Sequence, residues 1–143
     1  MKISQKVEYA MRAMLELALH TGQEGVVCNA DIARSQRIPV KFLELILVEL
    51  RRAGLVFSQR GSEGGHRLAR DPEQISVGDI WRAVDGSAAE TGNGGQRTKA
   101  GSGPFRVVWE EVDQAISGVV DQTTLASVKK RVETKRETPD YSI

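Results

Sequence analysis

The 143-residue sequence contains a single cysteine, Cys28, and only 5% aromatic residues. One thiol excludes an intrachain disulfide framework and a multi-cysteine metal site within one chain. So few aromatics leave Leu, Val, Ile and Ala to build the core. No apolar run approaches the roughly 18 residues that a membrane span needs. The opening Met1-Lys2-Ile3-Ser4-Gln5 lacks the apolar stretch of a secretory signal. The sequence therefore reads as cytoplasmic, with no membrane partner. Catalytic groupings are also missing. No Ser/His/Asp set has supporting context, and the two histidines, His20 and His66, fall in a helix strip and a hairpin. The glycine-rich stretch at 61–65 lacks the Gly-Lys-Ser/Thr ending of a phosphate loop and precedes a strand, not a helix. The chain does not read as an enzyme.

What is present is an ordinary globular composition, 40% hydrophobic and 27% charged, in a length that suits one domain or one domain plus an arm. The net charge of +1 conceals an asymmetry. Residues 1–70 carry 11 Lys/Arg against 7 Asp/Glu, and residues 71–143 carry 9 against 12. A basic first half fits a polyanion-binding unit joined to a unit with another task.

Ala10, Ala13, Met14, Leu17 and Ala18 follow helical spacing and predict a helix over 4–20. Its polar residues form one narrow strip, Glu8, Arg12, Glu16 and His20, so the helix must be covered on more than one side. A turn at 21–25 and a short strand at 26–28 follow. Asn29 is a plausible cap for a helix over 30–36. Pro39 suits the start of the next helix, about 40–53. There Leu43, Ile46, Leu47 and Leu50 share a face to be buried, while Lys41, Glu44, Val48 and Arg51 share another, and Gly54 ends the helix. Two helices across a tight turn, the second with a polar and basic face, make a helix-turn-helix. Residues 55–69 then read as a β-hairpin with a charged, glycine-rich tip, which completes a winged helix. Ser76-Val77-Gly78-Asp79 is a capping-box pattern for a helix to about Val84.

Six of the 19 residues in 86–104 are glycine, and that stretch reads as a mobile loop. Beyond it Phe105, Val108, Trp109, Val112 and Ile116 keep helical spacing, followed by a short helix at 124–128 and a charged tail at 129–143. The expected architecture is mainly α with a small β-hairpin: a winged helix-turn-helix domain over 1–85, the loop 86–104, a dimerisation helix with its short successor over 105–128, and the tail. The apolar face at 105–116 is more than an isolated arm can leave in water. A two-fold homodimer, with the arm of one chain on the arm and first helix of the other, covers both. It also sets two reading helices one DNA turn apart over a palindromic site.

Double-stranded DNA asks for cations along its phosphates and hydrogen-bonding groups at base edges. Lys41, Glu44 and Arg51 sit where a reading helix meets the major groove. Glu44 is suited to accept from a cytosine amino group, and Lys41 to donate to guanine or phosphate. Arg60 at the hairpin tip is placed for an adjacent minor groove. Gly61, Gly64 and Gly65 allow a tight turn and close backbone approach, with His66 behind them. Taken alone, the helix residues fit a solvated surface better than a DNA contact; the adjacent Arg60-Gly61-x-x-Gly64-Gly65 tip turns the balance to DNA. Cys28 reads as a small apolar residue, with a redox role as the sharper alternative.

These residues resemble the BadM-type winged helix-turn-helix regulators, which include the iron–sulfur regulator IscR, the nitric-oxide sensor NsrR and the cysteine-metabolism repressor CymR. The likeness rests on Glu8-Tyr9-Ala10, Asp31-Ile32-Ala33, Phe42-Leu43-Glu44 and Leu50-Arg51-Arg52-Ala53-Gly54-Leu55-Val56, on the hairpin from Arg60 to Ala69, and on Asp79-Ile80. It extends more loosely to Asp121-x-Thr123-x-Leu125-Ala126. His66 stands where Tyr is usual. The resemblance implies a dimeric transcriptional regulator, usually a repressor, reading DNA through Lys41, Glu44 and Arg60. Cluster-binding members carry three cysteines in the loop that corresponds to 86–104, and this chain has none there. Thiolates hold such a cluster, so no iron–sulfur centre and no other cofactor is expected. The signal then comes from a small-molecule effector, a partner protein or Cys28. A second reading, of another class, is a protein-interaction module on a winged-helix scaffold.

Overall fold

Ser4 opens the first helix by accepting the Val7 N–H on its hydroxyl oxygen. The computed structural model describes residues 3–85 and 103–137. In chain order they form α1 (Gln5–Leu19), α2 (Asn29–Gln36), α3 (Val40–Arg52), β1 (Val56–Gln59), β2 (Gly65–Leu68), a 3-10 turn (Pro72–Gln74), α4 (Val77–Val84), α5 (Arg106–Gln122) and α6 (Leu125–Glu137). The small residues Ala10, Ala13 and Ala18, all fully buried, let neighbours approach α1 closely. α2, α3, α4, α6 and β2 all pack against it. The many-sided covering expected for this helix is therefore supplied by its own chain, through α4 and α6, rather than by the arm of a partner.

α2 and α3 meet across a tight connection. Arg37 takes a left-handed conformation (φ 55°), which costs a non-glycine residue about 1 kcal/mol. That turn is held by Ile38 N–H donating to Ala33 O (2.9 Å) and by the Arg12 guanidinium donating to Gln36 O (3.0 Å). The end of α3 is closed similarly. Gly54 (φ 78°) donates to Arg51 O and Leu55 donates to Leu50 O, each at 3.0 Å, and buried Leu55 joins Leu50 in the core.

β1 and β2 pair antiparallel, with Val56 opposite Leu68 and Ser58 opposite His66. The strand expected at 26–28 reduces to one bridge: Val27 exchanges two 2.8 Å backbone bonds with His66. A Cβ on Gly65 would stand 2.5 Å from Val27 O, so this crossing needs glycine there. Asn29 begins α2 instead of capping it. Cys28 occupies the cap position without a side-chain bond, and the Asn29 side chain turns to His66. The expected capping box forms: Asp79 N–H donates to Ser76 Oγ (2.9 Å) and Ser76 N–H to Asp79 Oδ2 (3.0 Å).

The C-terminal helices are anchored to the core at 75–78. Leu125 N–H donates to Ile75 O (2.7 Å), Val77 N–H to Thr123 O (2.8 Å), and Arg82 to Asp121 (2.7 Å). That last bond holds the Arg82 guanidinium more basic than usual. α6 runs on past Val128 to Glu137, because Leu125, Val128 and Val132 continue an inward-facing line through charged sequence. The expected charged tail is thus helical at its start. Its last residues, 138–143, lie outside the described residues, as does 86–102, the greater part of the expected glycine-rich loop. Among the described residues no helix is long and apolar enough to cross a membrane.

Candidate nucleic-acid interface

α3 divides cleanly. Leu43, Ile46, Leu47 and Leu50 are buried, and Lys41, Glu44, Arg51 and Arg52 are exposed. One flank of the helix is fixed to α1 by Lys6–Glu49 (2.8 Å) and by an edge-to-face pair of Tyr9 and Phe42 (5.5 Å between centroids). Arg12 stacks over the Tyr9 ring at 5.0 Å. α2 is fixed to α1 through buried Glu16, whose carboxylate accepts from Ser35 Oγ (2.8 Å) and from the Gln36 amide (3.2 Å). Glu8 and Arg12, its companions on the polar strip, stand 4.0 Å apart at the surface. The helix-turn-helix is thus clamped from behind, which keeps α3 at a set angle.

Beside α3 lies an open groove of about 180 Å³ lined by Asn29, Glu44, Leu47, Val48, Arg51, Ser58 and His66. The structure brings Glu44, Arg51 and His66 together here, between the helix and the hairpin. His66 is half-buried with both ring nitrogens engaged. Asn29 Oδ1 only accepts, so Nε2 carries the proton and donates to it (2.5 Å), while Nδ1 accepts from the Ser58 hydroxyl (2.7 Å). Burial, and then the Arg51 charge, lower the His66 pKa below its usual 6.5. His66 thereby ties the start of α2 to both hairpin strands.

The hairpin tip carries exposed Arg60. Gly61 adopts φ 114°, and its carbonyl accepts from Gly64 N–H (3.0 Å). A Cβ on Gly64 would lie 2.2 Å from Gln59 O, so the tip closes only with glycine. At the hairpin's middle Arg67 stacks over Phe57 at 4.5 Å.

Helix geometry adds a point the sequence reading passed over. Residues 41, 45, 48 and 52 form one stripe at i, i+4, i+7 and i+11, with Lys41 and Arg52 exposed on it. Leu45 stands on this stripe 67% exposed. Glu44 and Arg51 flank the stripe on the hairpin side. The signal was available: position 45 falls off the spacing of the buried residues 43, 46, 47 and 50.

On α5, Phe105, Val108, Trp109 and Val112 are exposed, together with Val107 and Val119. Ile116, expected on the same face, packs instead against its own chain's core.

The sequence matches the model of the Rrf2 family, described as an iron-dependent transcriptional regulator, over residues 3–131. The HTH-type transcriptional regulator IscR of Aliivibrio salmonicida is 39% identical over 130 residues, covering 90% of this chain and 77% of the relative. The HTH-type transcriptional regulator IscR of Serratia proteamaculans is 38% identical over 130 residues, covering 90% of this chain and 79% of its own length. Among solved structures, T. potens IscR superposes with a TM-score of 0.81 at 39% identity, covering 99% of this chain and 95% of that one. CymR, the global cysteine regulator of B. subtilis, gives 0.78 at 33% identity, covering 92% and 98%. Iron in the family's description can be tested against the donors present. Cys28 is the only thiol, residues 86–102 contribute one carboxylate, Glu90, and no cysteine or histidine, and the described residues bring together no group of three or more His, Cys, Asp and Glu that could hold a metal ion. These donors do not fit a thiolate-held cluster.

Proposed function

The chain belongs to the Rrf2 family of DNA-binding transcriptional regulators, and we propose that it works as a cytoplasmic homodimeric repressor that reads a palindromic operator without an iron–sulfur cluster. The observation that carries this reading is the exposed face of α3, clamped from behind by α1, beside an arginine-tipped hairpin that His66 ties to the start of α2. In the proposed complex Lys41 and Glu44 meet base edges in the major groove, and Arg51 lies along the phosphates. Arg60 enters the neighbouring minor groove, where Gly61 and Gly64 let the tip approach the sugar–phosphate backbone. Gly65 and His66 act one step back, by fixing the hairpin to α2. The apolar face of Phe105, Val108, Trp109 and Val112 forms the dimer contact, with Ile116 anchoring that helix to its own domain. Residues 1–85 then form the DNA-binding unit and the C-terminal helices the pairing unit. The family and its relatives are named as transcriptional regulators, and a non-enzymatic role follows that naming. The signal is a small-molecule effector or a partner protein.

Gel-shift titrations over a salt series test the reading surface. Lys41→Ala and Arg60→Ala are each expected to weaken binding about tenfold or more, and a change at a phosphate contact lowers the salt slope by about one. Binding indifferent to both changes would reject the assignment.

A further inference from the structure

Leu45 is the most exposed large apolar side chain of α3, and the fold gives no reason for it. It packs on nothing in the core, whose contribution from this helix is complete with Leu43, Ile46, Leu47 and Leu50. It lies on the outward stripe, one turn after Lys41 and two turns before Arg52, with half-buried Val48 between. Its partner must therefore be something that also neutralises cations. An apolar protein surface would leave Lys41 and Arg52 desolvated and unpaired, which costs more than burying one Leu returns. A duplex satisfies both needs, because phosphates line the groove and a C5-methyl group projects into it at each thymine. Resting on the DNA-reading proposal above, we infer that Leu45 is a specificity residue that recognises a thymine methyl in each half-site.

The test uses the full-length protein and the palindromic site that it enriches from random duplexes. Each thymine of that site is replaced in turn by deoxyuridine, which keeps the pairing and removes only the methyl. Wild-type protein is expected to lose about fourfold in affinity at one symmetric thymine position, for each methyl removed, the equivalent of one buried methyl group. Leu45→Ala is expected to bind the thymine site about as the wild type binds the deoxyuridine site, with no further loss on deoxyuridine and an unchanged salt slope. Leu45→Met is expected to keep the discrimination. A site insensitive to every methyl, or a Leu45→Ala protein that still discriminates, overturns the inference while leaving sequence reading intact. Enrichment of no sequence at all overturns the reading itself and this inference with it. The residue is exposed, so circular dichroism of Leu45→Ala should match the wild type.

Discussion

Glu16 shows what spacing conveys and what it omits. Its place in the four-residue series Glu8, Arg12, Glu16, His20 correctly gives one helix strip. That spacing is blind to the end of α2, which lies across the strip and buries this carboxylate against Ser35 and Gln36. Glu16→Ala leaves those donors without their acceptor, so a loss of about 2 kcal/mol is expected in urea unfolding, with Glu16→Gln recovering part of it. His66 was legible as a hairpin residue, whereas its bonds to Asn29 and Ser58 required the tertiary fold. Its lowered pKa carries a sign. The unfolded chain binds the proton more readily, so the stabilisation is fully present above pH 6.5 and is lost as pH falls through 6.5 toward the folded value. The urea midpoint of the wild type should decline more between pH 7 and pH 5 than that of His66→Gln. Equal declines would mean that other groups govern the acid limb.

At the scale of elements, the helices with full apolar stripes and caps were readable: α1, α3 and α4 lie within a residue or two of their expected spans. The misses share a physical cause. The run 26–28 is short and apolar, which fits a strand, yet only Val27 finds a ladder partner where the chain crosses β2. α6 extends beyond its expected end because three apolar positions, spaced by charges, suffice once α1 covers them. α5 keeps Trp109 (42% exposed) and Phe105 (64%) in water although its far end is anchored through Val120. Introducing a charge there, Trp109→Asp, is expected to turn the proposed dimer into a monomer in sedimentation velocity. It should weaken binding to the full palindrome more than to a half-site. An unchanged sedimentation coefficient would place the pairing surface elsewhere.

For the whole molecule, the basic excess of residues 1–70 lies in the stretch that carries α3 and the hairpin, whereas residues 71–85, which hold α4, carry four carboxylates against one arginine, and α5 and α6 together are balanced with six charges of each sign. The net charge of +1 conceals this distribution. The lone cysteine separates this chain chemically from regulators whose loop thiolates hold a cluster, so added iron and chelators are expected to leave operator affinity unchanged. The most direct test of two-fold reading through α3 and the hairpin is selection of binding sites from a random duplex pool by the purified protein. The expected product is a palindrome whose half-sites lie about 10 base pairs apart, or a multiple of that, and whose enrichment disappears with Lys41→Ala or Arg60→Ala. A pool without a preferred sequence, or a preferred site lacking two-fold symmetry, would contradict it.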